Sequence, residues 1–270
     1  MKRVDAMSER ARQLEVAIAA AKAGGEVSRR YFGTNLNVER KSDRSPVTVA
    51  DRESEQKIVD VLHASFPDYG VLGEEFGERP GARARWIIDP IDGTKSFVRG
   101  NPYFAALVAL EEEGEITVGV VHEPISGDVY YASKGAGAFG PSGRLRVSEV
   151  PRLRAGMVLF GGLNAWRTAG KWDVLERLVA ASGRQRGYGD YLGHLFVVRG
   201  LGETMIELEL KPWDMAPLKI LLEEAGGKLS DINGHPTIYG GSCVTSNGRV
   251  HDEVLALLAQ SSGVDTTRLG

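Results

Sequence analysis

The segment Trp86-Ile87-Ile88-Asp89-Pro90-Ile91-Asp92-Gly93-Thr94-Lys95-Ser96-Phe97 carries the most chemistry in the chain. Its apolar start reads as a strand that delivers Asp89 at its end. Pro90 stiffens the exit, and Asp92, three residues on, falls where the chain turns. Gly93-Thr94 then opens a helix, whose first-turn N–H groups and positive dipole end suit a phosphate. Acids for cations and amides for an anion, side by side, make a metal-bridged phosphate site. An isolated Asp-x-x-Asp would read as turn and helix-capping residues. Here three more acids sit at element ends: Glu74 in Gly73-Glu74-Glu75, Asp214 behind Pro212-Trp213, and Asp51 in the first turn of a helix.

Carboxylates ~4 Å apart repel by roughly 4 kcal/mol per pair at an effective dielectric near 20, so such a cluster needs cations to persist. Oxygen-only ligands suit Mg²⁺ or Mn²⁺. The five histidines are scattered and Cys243 is the only cysteine, so a zinc site is not expected. No Ser-His-Asp arrangement and no cysteine-centred phosphatase loop stands in the sequence, which argues against covalent catalysis.

The elements that must position these acids follow from periodicity and turn signals. Residues 6–31 read as a helix with Leu14, Ile18 and Ala21 on one face, weakened at Gly24-Gly25. A second helix starts at Thr48, with Asp51 in capping-box position. Residues 71–75 and 86–89 are strands ending in acids. Residues 104–110, 116–122 and 129–132 form an antiparallel meander. Beyond about residue 150 the pattern is α/β: strands at 157–160, 205–210, 228–230 and 242–245, and helices at 171–181, 191–199, 213–225 and 250–258. The expectation is one catalytic unit over 1–270. Subdomain 1–150 carries the metal and phosphate motifs and the meander; 151–270 is a substrate-recognition half, joined without a flexible linker.

Of the 270 residues, 42% are hydrophobic and 26% charged, as in an ordinary soluble enzyme. The net charge of −3 gives no basic field for nucleic acid or an anionic membrane. Arg83 with Arg85 and Arg184 with Arg186 read as solvated surface. Cys243, in an apolar run, reads as core packing and cannot form an intrachain disulfide. Residues 1–23 lack the apolar core of a signal peptide, and no stretch is apolar enough to span a bilayer, so a cytoplasmic location is expected.

Gly73-Glu74-Glu75, Asp89-Pro90-Ile91-Asp92-Gly93-Thr94, and Trp213-Asp214 followed by Glu224-Ala225-Gly226-Gly227 closely resemble the inositol monophosphatase family in order and spacing. The resemblance covers nearly the whole chain. It implies a layered αβαβα sandwich, dimeric as a rule. It implies Mg²⁺ held by Glu74, Asp89, Asp92, Asp214 and the main-chain carbonyl of Ile91. It gives Thr94 and Asp51 roles in water activation and Lys41 a place at the site edge. The expected chemistry is in-line attack of an activated water, without a phosphoenzyme. Glu74, Thr94 and Asp51 stand on the water side. Asp89, Asp92 and Asp214 stand on the leaving-group side, with the Gly93-Thr94 amides on the phosphate.

Family members act on inositol phosphates, fructose bisphosphate, phosphoadenosine nucleotides and histidinol phosphate. Two stretches are most similar to bacterial histidinol-phosphate phosphatases: Phe97-Val98-Arg99-Gly100-Asn101 and Arg186-Gly187-Tyr188-Gly189-Asp190-Tyr191. Arg186, Gly189 and Asp190 are therefore expected at the substrate, alongside Asp92, Gly93, Thr94 and Asp214. An acid at Asp190 suits the ammonium of histidinol phosphate. Glu207, seven residues before Asp214, offers a second acceptor. Such a charge-assisted contact is worth roughly 1.5–3 kcal/mol. The plainer reading of Asp190 is an N-cap for a helix from Tyr191, and of His194 a core histidine. The implied activity is hydrolysis of L-histidinol phosphate to L-histidinol and phosphate, a step of histidine biosynthesis. The alternatives are an inositol-1-phosphate or broad phosphomonoesterase and a catalytically silent phosphometabolite-binding protein, which would have lost one of the acids; all are present.

Overall fold

A computed structural model describes residues 2–34, 39–40 and 46–260. Helix α1 (Lys2–Tyr31) runs straight through the glycine pair that the sequence marked as weak. Tertiary packing overrides propensity there: a Cβ on Gly24 would lie 2.5 Å from Ile58, and one on Gly25 2.4 Å from His122. The bare backbone lets α1 lie close on its neighbours. A short ribbon, β1 (Glu39–Arg40) with β2 (Pro46–Val47), leads into α2 (Val49–Ser65). Thr48 caps α2, accepting the Ala50 N–H, and Asp51 completes the capping box.

The first sheet holds β3 (Gly70–Gly73), β4 (Gly77–Arg79), β5 (Ala84–Asp92), then, beyond α3 (Thr94–Val98), β6 (Ala105–Glu112), β7 (Glu115–His122), β8 (Val129–Ser133), β9 (Gly137–Gly140) and β10 (Gly143–Arg144). Its order is β10-β9-β8-β7-β6-β5-β3-β4, with β3 parallel to β5 and every other pair antiparallel. The expected meander is β6-β7-β8. The second sheet follows: β11 (Met157–Phe160), helices α4 (Leu163–Thr168) and α5 (Trp172–Ala181), β12 (Arg184–Gly187), α6 (Asp190–Val198), β13 (Thr204–Leu208), α7 (Pro212–Glu224), β14 (Lys228–Ser230), β15 (Ser242–Ser246) and α8 (His251–Ala259). Its order is β12-β11-β13-β15-β14.

Strand periodicity builds the layers. On one face of the first sheet Trp86, Ile88, Val108 and Leu110 pack against Ala17, Ala21, Ile58 and Leu62 of α1 and α2. Their neighbours Ile87, Leu107 and Ala109 point the other way, onto Leu195 of α6 and Met215, Leu218 and Leu221 of α7. Leu159, Met205 and Cys243 of the second sheet close that middle layer. Val158, Ile206 and Val244 face outward onto Trp166, Leu178 and Val254 of α4, α5 and α8. Two sheets between three helical layers make the expected αβαβα sandwich. Each fully buried side chain of this size contributes about 1.5–3 kcal/mol. No helix among the described residues is long and apolar enough to cross a membrane.

Candidate active site

The acids converge where strand ends of both sheets meet the N-termini of α3, α6 and α7. β5 continues past Asp89, but its pairing with β6 breaks between Asp89 and Asp92. Pro90 has no N–H for the ladder, and Ile91 donates its N–H to Asp89 Oδ1 at 3.0 Å instead of to the sheet. The irregularity turns both acids inward. Gly93 then takes φ 87°, a left-handed conformation that favours glycine, and α3 starts. Asp214 stands at the third position of α7, where its Oδ2 accepts the Lys211 N–H at 2.7 Å.

Asp89, Asp92 and Asp214 each place a carboxylate oxygen within 4.8 Å of the other two. They line a cleft of about 690 Å³ with Glu74, Ile91 and Thr94. Burial pushes the Asp89 carboxyl well above the usual carboxylate range, and the charges of Glu74, Asp92 and Asp214 push it further. Burial raises Asp92 too, helped by Asp190 and Asp214 and opposed by the Tyr191 N–H. Asp214 is pushed up to about 7 by burial against the pull of the Lys211 N–H, with Glu74, Glu207 and Asp190 adding to the rise. Buried, mutually repelling oxygens fit a hard divalent cation.

Asp51 lies behind this cluster, 1% exposed and outside the cleft lining. Its Oδ2 accepts the Thr48 N–H at 2.7 Å, and its Oδ1 stands 3.4 Å from Thr94 Oγ1. Thr94 has one hydroxyl proton and a nearer acceptor, the carbonyl of Ile91 at 3.0 Å. Among the described residues, Asp51 meets the cleft through Thr94. Lys41 lies outside the described residues.

Gly93, Gly189, Asp190 and Glu207 line the same cleft. Asp190 does not cap α6. It is the first helical residue, at a left-handed φ of 59°, with Gly189 in the cap position. The Tyr191 N–H goes to Asp92 Oδ2 at 2.6 Å, so the acid that caps α6 comes from the other sheet. Asp190 is left to face the cleft, pushed up to about 6 by burial and by Glu207 against the pull of Lys95. Arg186 is exposed on edge strand β12 and donates to the Gln185 carbonyl at 2.7 Å, outside the cleft lining of this chain.

The cleft also holds residues the sequence reading passed over. Lys95 follows Thr94 on α3, and its place in the Asp-Gly-Thr-Lys run was the signal for it. Gly161, after β11, leaves room for Glu207: a Cβ there would lie 2.1 Å from Glu207 Oε1. His194, read as a core residue, is 1% exposed and yet lines the cleft.

Residues 9–263 match the model of the inositol monophosphatase family. A histidinol-phosphatase of Mycobacterium tuberculosis is 40% identical over 91% of this chain and 97% of its own length. A protein of Aquifex aeolicus named fructose-1,6-bisphosphatase/inositol-1-monophosphatase is 35% identical over 90% of this chain and 93% of its own. Among solved structures, an extragenic suppressor protein from Bartonella henselae superposes with a TM-score of 0.86 at 31% identity, covering 92% of this chain and 98% of that one. With a family model matched over most of its length and relatives of this identity, the chain belongs to the inositol monophosphatase family.

Proposed function

We propose that this phosphoric monoester hydrolase cleaves L-histidinol phosphate to L-histidinol and phosphate, with Mg²⁺ as its metal. The observation that carries the substrate is the pair of acids beyond the metal cluster, Asp190 and Glu207, in the same cleft as Asp89, Asp92 and Asp214. A polyol's hydroxyls can donate to a carboxylate, but only an ammonium brings the opposite charge that makes two acids side by side favourable. The 40%-identical relative named histidinol-phosphatase supports the same reading.

Glu74, Asp89, Asp92, Asp214 and the Ile91 carbonyl would hold the metal, which supplies positive charge at the phosphate oxygens and acidifies water. Thr94 takes a proton from the attacking water and passes its own toward Asp51. The amides at the start of α3 take the phosphate oxygens. Asp190 and Glu207 orient the amino alcohol. A place in histidine biosynthesis, a cytoplasmic location and a homodimer belong to the same reading; they rest on the family resemblance and on Cys243 lacking a disulfide partner in the chain.

The test is phosphate release in Mg²⁺ or EDTA from L-histidinol phosphate, inositol-1-phosphate, fructose-1,6-bisphosphate and 3′-phosphoadenosine-5′-phosphate. Histidinol phosphate is expected to have the highest kcat/KM, and EDTA to abolish release. Preference for inositol-1-phosphate would overturn the substrate assignment and leave the hydrolase standing.

A further inference from the structure

Behind Glu207 stand two buried polar side chains that the chemistry above does not use, His194 and Thr245. His194 Nδ1 stands 2.9 Å from Thr245 Oγ1. Its Nε2 faces Glu207 Oε2 at 3.3 Å. Neither Nε2 nor Oε2 has a hydrogen-bond partner of good geometry among the described residues, and His194 and Glu207 both line the cleft. Buried polar atoms left in this state cost free energy, so a core-packing role does not explain them. Glu207 Oε1 lies against the bare Cα of Gly161, where a Cβ would stand 2.1 Å away.

Proton bookkeeping gives these contacts a direction. If Thr245 donates to Nδ1, the imidazole carries its hydrogen on Nε2, pointing at the Glu207 carboxylate. The opposite tautomer would set a nitrogen lone pair against a carboxylate oxygen, and the two repel. The first arrangement is the favourable one.

We infer that His194 is a specificity-positioning residue: anchored by Thr245, it holds Glu207 in the place where that carboxylate and Asp190 together receive the ammonium end of the substrate. This rests on the reading that the cleft takes an ammonium-bearing phosphomonoester. His194 touches no reacting atom and acts through Glu207. Its contribution is to discrimination between substrates, not to bond cleavage.

Two polar substitutions separate this role from packing. The amide nitrogen of His194→Gln can stand where Nε2 stood and still donate to Glu207. His194→Asn reaches only as far as Nδ1, keeping Thr245 and losing Glu207. The readout is kcat/KM in Mg²⁺ for L-histidinol phosphate and for p-nitrophenyl phosphate, which has no ammonium, with melting temperature measured alongside. His194→Asn is expected to lower the ratio of the two values about tenfold, through KM for histidinol phosphate. His194→Gln is expected to restore most of that ratio. If both variants keep the wild-type ratio, or if both substrates lose activity in parallel, His194 is structural and the inference is wrong. A wild-type enzyme with no preference for the ammonium-bearing ester would overturn the substrate reading first, and that failure is seen without any substitution.

Discussion

The carboxylate of Glu55 accepts the backbone N–H of Glu75 at 2.8 Å. It takes the next amide, that of Phe76, at 3.1 Å. Glu55 is fully buried on α2, and Gly73 makes room for it: a Cβ there would lie 2.0 Å from Oε1. These bonds fix the turn that carries Glu74 into the cleft. One helical turn earlier on α2 stands Asp51, which reaches Thr94. A single helix thus links the turn that carries Glu74 to the hydroxyl of Thr94.

Glu55→Gln keeps the shape but turns an acceptor oxygen into an amide that cannot take both N–H groups. The expected result is a rise in half-saturating Mg²⁺ of about tenfold or more, the usual effect of losing the support behind a metal ligand. Calorimetric titration of Mg²⁺, together with the Mg²⁺ dependence of kcat/KM, measures it. Unchanged Mg²⁺ affinity in a folded variant would show that the Glu74 turn holds itself.

Asp92→Asn separates chemistry from stability. The amide oxygen can still accept the Tyr191 N–H, while the charge that repels Asp190 and Asp214 is gone. The melting temperature of the metal-free variant is expected to equal or exceed wild type. Phosphate release in saturating Mg²⁺ is expected to fall at least about a hundredfold, because a metal ligand matters more than the groups behind it. Near-normal turnover would remove Asp92 from the metal.

The convergence of Asp89, Asp92 and Asp214 was legible because each sits at a local boundary: a strand end, a broken ladder, a helix start. Contacts between distant segments were not. The alternative of Asp190 as a cap rested on Asp being a common N-cap before an apolar helical run; the acid that takes the Tyr191 N–H is Asp92, on another sheet. Arg186 belonged to a stretch resembling a substrate motif, but β12 is an edge strand, and its Arg-Gln-Arg-Gly has no apolar alternation to show which way a side chain points. The helix at Gly24-Gly25 read as weak because propensity sees glycine without the Ile58 and His122 that press against it.

Gly161→Ala tests the far end of the cleft from the other side. The added Cβ would sit 2.1 Å from Glu207 Oε1, so the carboxylate must move. KM for L-histidinol phosphate is expected to rise about tenfold, the value of one charge-assisted contact, with a smaller change for p-nitrophenyl phosphate. Steady-state kinetics on the two esters checks it. Equal losses on both would mean that the methyl disturbs the metal cluster and not a substrate contact.

His251 gives the fold an acid limit independent of the cleft. The ring is fully buried between two serines, with Nε2 3.0 Å from Ser230 Oγ and Nδ1 2.8 Å from Ser246 Oγ. Ser230 spends its proton on the Asp231 carbonyl at 2.7 Å, so it must accept from Nε2–H. Nδ1 is then bare and accepts from Ser246. Burial, with Lys228 nearby, brings this imidazole down to about 4. An unfolded chain holds its histidines near 6.5, so between those values the unfolded state binds the extra proton. Stability is complete above about pH 6.5 and drains away as pH falls toward 4, by about 2 kcal/mol at pH 5 from this residue. Urea midpoints at pH 7.5 and pH 5 measure the loss. His251→Gln, which cannot take up that proton, is expected to start less stable at pH 7.5 and to lose less on acidification. An identical loss in the variant would place the acid sensitivity elsewhere, with buried His122, which burial also pushes down, the next residue to change.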